Sequence, residues 1–148
     1  MEKGQLCAVS GVRHNQIDGL WEKVVPLVTR ALEHSRGEHT VEDIAKYLEE
    51  RLMQLWVAHD EFQRIEACAV TQLILYPQRK MLRIVIMAGE EFSRWKTGLE
   101  LLEHWARTHG CDGIEAWTRP GMVKITKELG LRSYYTLLGK DLLPIDVH

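Results

Sequence analysis

The hydrophobic period changes repeatedly along this chain, and its first two changes are the clearest. It passes from helical spacing to strand-like apolar runs near Leu55 and returns to helical spacing near Trp95, which restricts the chain to a mixed α/β fold. Before the first change, Leu20, Trp21, Val24, Val25, Leu27, Val28, Ala31 and Leu32 predict a helix over Ile17 to His34, with Pro26 inside it as a kink or break. Thr40 opens a second helix as its N-cap. Glu42 and Asp43 sit in the first turn, where the helix dipole favours acid, and Ile44, Tyr47, Leu48 and Leu52 form the expected buried face.

Between the two changes, Leu55 to Ala58, Arg64 to Tyr76 and Leu82 to Met87 read as three consecutive strands, an antiparallel meander with turns at His59-Asp-Glu61 and Pro77 to Lys80. Helical spacing then holds from Trp95 to Thr108, with Gly110 as the stop. Gly113 to Thr118 predicts a strand, Met122 to Leu129 a helix closed by Gly130, and Ser133 to Leu138 a last strand. The order expected is α-α-β-β-β-α-β-α-β over a single domain spanning residues 1–148, with a mixed sheet because helical crossovers favour parallel neighbours.

Bulk properties remove several classes of function. The 148 residues suffice for one core burying roughly two thirds of the unfolded surface. At 45% hydrophobic and 27% charged residues the composition is that of an ordinary globular domain. A net charge of −2 without a basic stripe gives no reason to expect a nucleic-acid partner. Cys7, Cys68 and Cys111 are isolated, and His104 and His109 are five positions apart, so no disulfide framework or metal site is expected. Met1 to Ser10 holds one lysine and no long apolar stretch, so neither a signal peptide nor a membrane partner is expected, and the expected setting is the cytoplasm.

The element order, with Leu101-Leu102 in the helix that follows the meander, resembles the GNAT superfamily of acyl-CoA-dependent N-acetyltransferases across nearly the whole chain. The family pattern before that helix is Gln or Arg, two variable residues, Gly, one variable residue, then Gly or Ala. Aligned on Leu101-Leu102, Gly98 takes the last glycine, Lys96 the middle glycine and Ser93 the Gln/Arg position, with Arg94 one place later. The resemblance implies acetyl-CoA as cofactor, held by Met87, Ala88, Arg94, Lys96, Thr97 and Gly98, with its pyrophosphate on the backbone N–H groups of the helix N-terminus. Lys96 departs from the pattern by adding a cationic side chain where the family has glycine.

In the next helix the family has a tyrosine four residues before a Gly-Phe pair. Gly130-Leu131 stands in that place here, which puts Thr126 at the tyrosine position. A threonine hydroxyl is a poor general acid, so Tyr134 and Tyr135 become the candidates for protonating the thiolate. The resemblance makes Glu115 the candidate base for an amine acceptor. The competing reading of Glu115, and of Glu66, Glu90 and Glu91, is ordinary strand-surface charge.

Trp56, Trp105 and Trp117 read as core, and Trp95 as core or ligand-facing. The finer text is similar to small GNAT-like proteins of tailed phages and prophages, through Gln54 to Ala58, Ala88-Gly-Glu90, Trp95, Glu103 to Ala106, Gly110-Cys-Asp112, Arg119-Pro-Gly121 and Leu129-Gly130. Two functions are therefore open. One is an acetyltransferase acting on a small-molecule or protein amine. The other is a catalytically degenerate binding or structural protein with a phage or host protein as partner, in the host cytoplasm or the virion.

Overall fold

The structure, a computed structural model, describes residues 6–89 and 95–143. Five strands form one sheet in chain order: β1 (Leu6–Gly11), β2 (Gln54–Asp60), β3 (Ile65–Leu75), β4 (Lys80–Gly89) and β5 (Gly113–Ala116). The first four are antiparallel neighbours and β5 runs parallel to β4. The parallel step needs a crossover, and the helix α3 (Lys96–Thr108) supplies it.

Two helices precede the meander. α1 (Ile17–Leu32) contains Pro26, and α2 (Val41–Glu49) starts from a capping box in which the Thr40 hydroxyl accepts from the Asp43 N–H and the Asp43 carboxylate accepts from the Thr40 N–H. The Thr40 N–H donating to the Asp43 carboxylate, with the Thr40 hydroxyl beside it, holds that carboxyl below its ordinary range. Leu52 falls beyond α2 and is exposed, and Met53 takes the buried place expected for it.

The sheet separates two apolar layers. Val24, Val28, Ile44 and Leu48 of α1 and α2 pack on Leu55, Val57, Cys68, Val70, Ile86 and Ala88. On the opposite face Trp95, Leu99, Leu102 and Ala106 of the α3 segment pack on Trp56, Ala58, Ala67, Ala69, Leu82 and Ile84. Leu129, just after the short helix α4 (Val123–Glu128), joins this second layer.

Within β4 the parity does not fit a regular strand. Leu82 and Ile84 face α3 while Ile86 and Ala88 face α1 and α2, although even-numbered residues of an uninterrupted strand share one face. The β3–β4 pairing accounts for this. Thr71 pairs with Ile84 and Val70 with Ile86, so Val85 is an extra residue, a β-bulge that turns the strand over.

Two sequence expectations are corrected at the ends of the chain. Leu6–Gly11, unassigned from sequence, is a strand paired with β2. Ser133 to Leu138, expected as the last strand, has no regular secondary structure, and the whole stretch 131–140 lacks it. Its exposed end is tied to the loop between α1 and α2 by a two-pronged Arg36–Asp141 ion pair at 2.7–2.8 Å.

Candidate functional site

The β4–β5 ladder runs from Met81↔Gly113 to Ile84↔Ala116 and stops there, one residue before the bulge at Val85. β4 continues to Gly89. From Ile86 to Gly89 its backbone is paired with β3 on one side, and among the described residues no strand pairs with it on the β5 side, so from the Val85 bulge onward N–H and C=O groups form an open edge inside the sheet. The bulge and the end of pairing have one cause. The added residue re-aims β4 and β5 cannot follow it.

Gly89 ends this edge at φ +133, and a Cβ there would stand 2.5 Å from the Ala67 Cβ and 2.9 Å from the Glu66 carbonyl oxygen. Only glycine allows that closure.

The first turn of α3 lies at the same end of the sheet, since Trp95 is only six positions beyond Gly89. Lys96 and Thr97 are exposed there. Among the described residues no side chain caps the turn and no acidic residue lies in it, so the positive end of its dipole is not offset there.

At Gly98 the space that a side chain would take is already filled. A Cβ at this position would sit 2.6 Å from the Trp95 ring and 2.8 Å from Val9, so the missing side chain makes room for protein. Trp95 is itself 1% exposed, a core residue at the helix entrance. Met87 turns its side chain to the α3 layer and Ala88 to the α1/α2 layer, which leaves their main chain as what they offer the open edge. Arg94, with Ser93, Glu90 and Glu91, lies outside the described residues.

Glu115 sits on β5 opposite Arg83, one position before the ladder ends. Its Oε2 accepts from Arg83 Nε at 3.2 Å, from Arg83 Nη2 at 3.1 Å and from the Tyr76 hydroxyl at 3.0 Å. Arg83 Nη2 also donates to the Tyr76 oxygen at 3.2 Å. The pair is partly desolvated, the two side chains being 21% and 19% exposed. Arg83 lies over the ring of Trp117 at 4.5 Å, and Trp117 is 59% exposed, which corrects the expectation of a core residue.

Sequence reasoning found Glu115 but missed Tyr76 and Arg83. The available signal was Arg83 itself, the one charge inside the apolar run Met81 to Met87.

Among the described residues, the hydrogen bonds and ring contacts of this group do not include the remaining candidates. Tyr134 and Tyr135 are 65% and 95% exposed, in the stretch without regular structure, and Arg132 lies over the Tyr134 ring at 5.2 Å. The Thr126 hydroxyl lies 3.1 Å from the Met122 carbonyl and 2.9 Å from that of Val123, so its single proton is used inside its own helical segment. Burial pushes the Cys68 thiol up to about 12 and raises that of Cys111. Among the described residues, no group of His, Cys, Asp and Glu could hold a metal ion, and no helix is long and apolar enough to cross a membrane.

No protein-family model and no curated protein matches the chain. Solved structures do match over most of its length. An aminoglycoside acetyltransferase from an uncultured soil metagenomic sample, in complex with sisomicin, aligns with TM-score 0.68 at 11% identity, covering 93% of this chain and 96% of its own. A Trypanosoma brucei acetyltransferase aligns with TM-score 0.64 at 14% identity, covering 91% and 99%. Glucosamine-6-phosphate N-acetyltransferase from Arabidopsis thaliana aligns with TM-score 0.61 at 14% identity, covering 91% and 97%.

Proposed function

We propose that this chain, which has the fold of the GNAT acetyltransferases, transfers an acyl group from an acyl-CoA to an amine at the open edge of β4. The observation that carries the reading is the coincidence of the Val85 bulge with the end of the β4–β5 ladder, which exposes backbone donors and acceptors within the sheet. Such an edge suits an extended ligand with amide groups, because it binds as an added strand would.

The residues present fit an acyl-CoA in two places. The main chain from Val85 through Met87 and Ala88 to Gly89 would hold the amide-bearing arm. The first turn of α3, with Lys96 and Thr97 exposed, would hold phosphate on its N–H groups and its dipole, Lys96 adding a point charge. Arg94 belongs to this proposal by sequence. The bound acyl-CoA would supply an activated thioester carbonyl.

The chain's own groups would then do four things. The β4 backbone N–H groups orient the carbonyl and stabilise charge developing on its oxygen. The split between the strands places the amine beside the carbonyl carbon, converting a bimolecular encounter into a local one. Glu115 takes the proton lost by the amine as the new C–N bond forms, through a water if needed. Tyr134 and Tyr135 are the proposed sources of the proton that the departing thiolate takes up. A cytoplasmic setting, which keeps thiols reduced, suits the free Cys68 and Cys111.

Calorimetric titration with acetyl-CoA, followed by thiol release in the presence of an amine, tests the reading. It predicts saturable binding with one site and amine-dependent thiol release. No heat and no thermal shift at millimolar acetyl-CoA would sink it.

One observation favours a second reading, a binding protein that keeps the architecture without the activity, in the phage setting the finer sequence pattern suggests. Thr126 occupies the place of the family's acid, and its hydroxyl is committed to the carbonyls of Met122 and Val123. That reading predicts a co-purifying protein partner and no turnover.

A further inference from the structure

Trp117 follows directly on Ala116, the last residue of β5 paired with β4, and so stands where the two strands part. A half-exposed indole on a loose loop would be unremarked surface. This one is mounted. One face is covered by the Arg83 guanidinium at 4.5 Å, and the guanidinium is in turn fixed by two hydrogen bonds to Glu115 Oε2 and one to the Tyr76 hydroxyl. Tyr76 closes the group by donating to the same carboxylate oxygen.

The ion pair cancels its own charge, so the group offers a ligand neither a net cation nor a net anion. What it offers is the free part of a rigid indole, 59% exposed at the mouth of the proposed acyl-transfer cleft. A pre-positioned aromatic face loses little entropy on binding and prefers flat or ring-shaped partners to flexible chains.

We propose that Trp117 is the acceptor-side stacking platform of this cleft, that Arg83, Glu115 and Tyr76 are its mount, and that it selects amines carried on a ring over amines on a flexible aliphatic chain. The proposal rests on the acyl-transfer reading for its place in a reaction. The stacking itself does not depend on turnover.

Two measurements keep the two ideas separable. In the first, 15N-labelled protein is titrated with glucosamine, tryptamine and 1-propylamine while the indole N–H resonances are followed, that of Trp117 being assigned by its loss in Trp117→Phe. The platform predicts saturable shifts of the Trp117 resonance with one or both ring amines and none with propylamine. Which ring amine acts tells a sugar-bearing from an aromatic acceptor. No shift with either ring amine, or equal shifts with all three, overturns the proposal.

In the second, steady-state acetylation of the same three amines is compared between wild type, Trp117→Phe, Trp117→Ala and Arg83→Met. Trp117→Ala should raise KM for the ring amine about tenfold while kcat and the KM for propylamine stay within about twofold, with Trp117→Phe largely restoring the ring KM. Arg83→Met should reproduce the ring-amine KM defect in part. A uniform loss for all three amines in Trp117→Ala means a structural effect and overturns the platform. Shifts of Trp117 without acetylation would sustain the platform and sink the acyl-transfer reading. Acetylation with no ring preference would do the reverse.

Discussion

Replacing Gly98 by alanine tests why a glycine stands in the first turn of α3. In a helix the exchange normally helps, by about 0.5–1 kcal/mol, because alanine loses less backbone entropy on folding. Here the added Cβ would stand 2.6 Å from one Trp95 ring carbon and 2.8 Å from a Val9 methyl. Neither neighbour can swing aside cheaply, since Trp95 is 1% exposed against the α3 layer and Val9 is held on β1 against β2.

Overpacking of a filled site costs about 1–3 kcal/mol, and two simultaneous contacts this short place the cost near the top of that range. Subtracting the helix gain leaves Gly98→Ala destabilising by about 2–2.5 kcal/mol. For a chain of this length that lowers Tm by about 4–10 °C, readable by thermal or urea unfolding. Val9→Ala removes one of the two contacts, so the Gly98 penalty should shrink in that background, a coupling that a double-mutant cycle measures. A Gly98→Ala protein as stable as wild type or more so would refute the packing account and return this glycine to the role of admitting a ligand.

Three further outcomes follow from the structure. Gly89→Ala combines a left-handed φ of +133 with contacts of 2.5 and 2.9 Å, so it should unfold at lower denaturant than Gly98→Ala in the same urea titration. Asp60, 1% exposed, caps the β2–β3 turn. Burial opposes its charge, but the Arg64 N–H, the Arg64 guanidinium and the Phe62 N–H outweigh that and hold its carboxyl below the ordinary range. Its stabilisation is therefore complete above about pH 4 and lost as the pH falls through the depressed folded value, and Asp60→Asn should flatten that part of the Tm-versus-pH profile. Cys68, with its thiol pushed up to about 12, should resist a thiol reagent at pH 8 in the native state and react on unfolding.

The sequence was most informative where local and tertiary demands agree. The helices α1, α2 and α3 and the strands β2 to β4 follow the apolar period because each has one face or run to bury and a local start or stop, such as Thr40 or Gly110. β1 was missed because Leu6–Gly11 is rich in small residues, with no alternation to read, and it is a strand only through its pairing with β2. The opposite error occurred at Ser133 to Leu138, where Tyr-Tyr-Thr-Leu-Leu has strand propensity but propensity alone does not supply a partner.

The site shows the same division. Glu115 could be picked out as a charge on a short strand, whereas Tyr76, Arg83 and Trp117 join it only through the register Arg83↔Glu115. The bulge at Val85 lies in an unbroken apolar run, Ile84 to Met87, that carries no polar alternation to betray the change of face.

If the β4 edge from Val85 to Gly89 receives an acyl-CoA, a crystal soaked with coenzyme A will show density for an extended chain between the diverging ends of β4 and β5, its amides paired to the main chain of residues 85–89 and its phosphates at the first turn of α3. A gap filled by the protein's own side chains, or coenzyme A bound elsewhere, would contradict it.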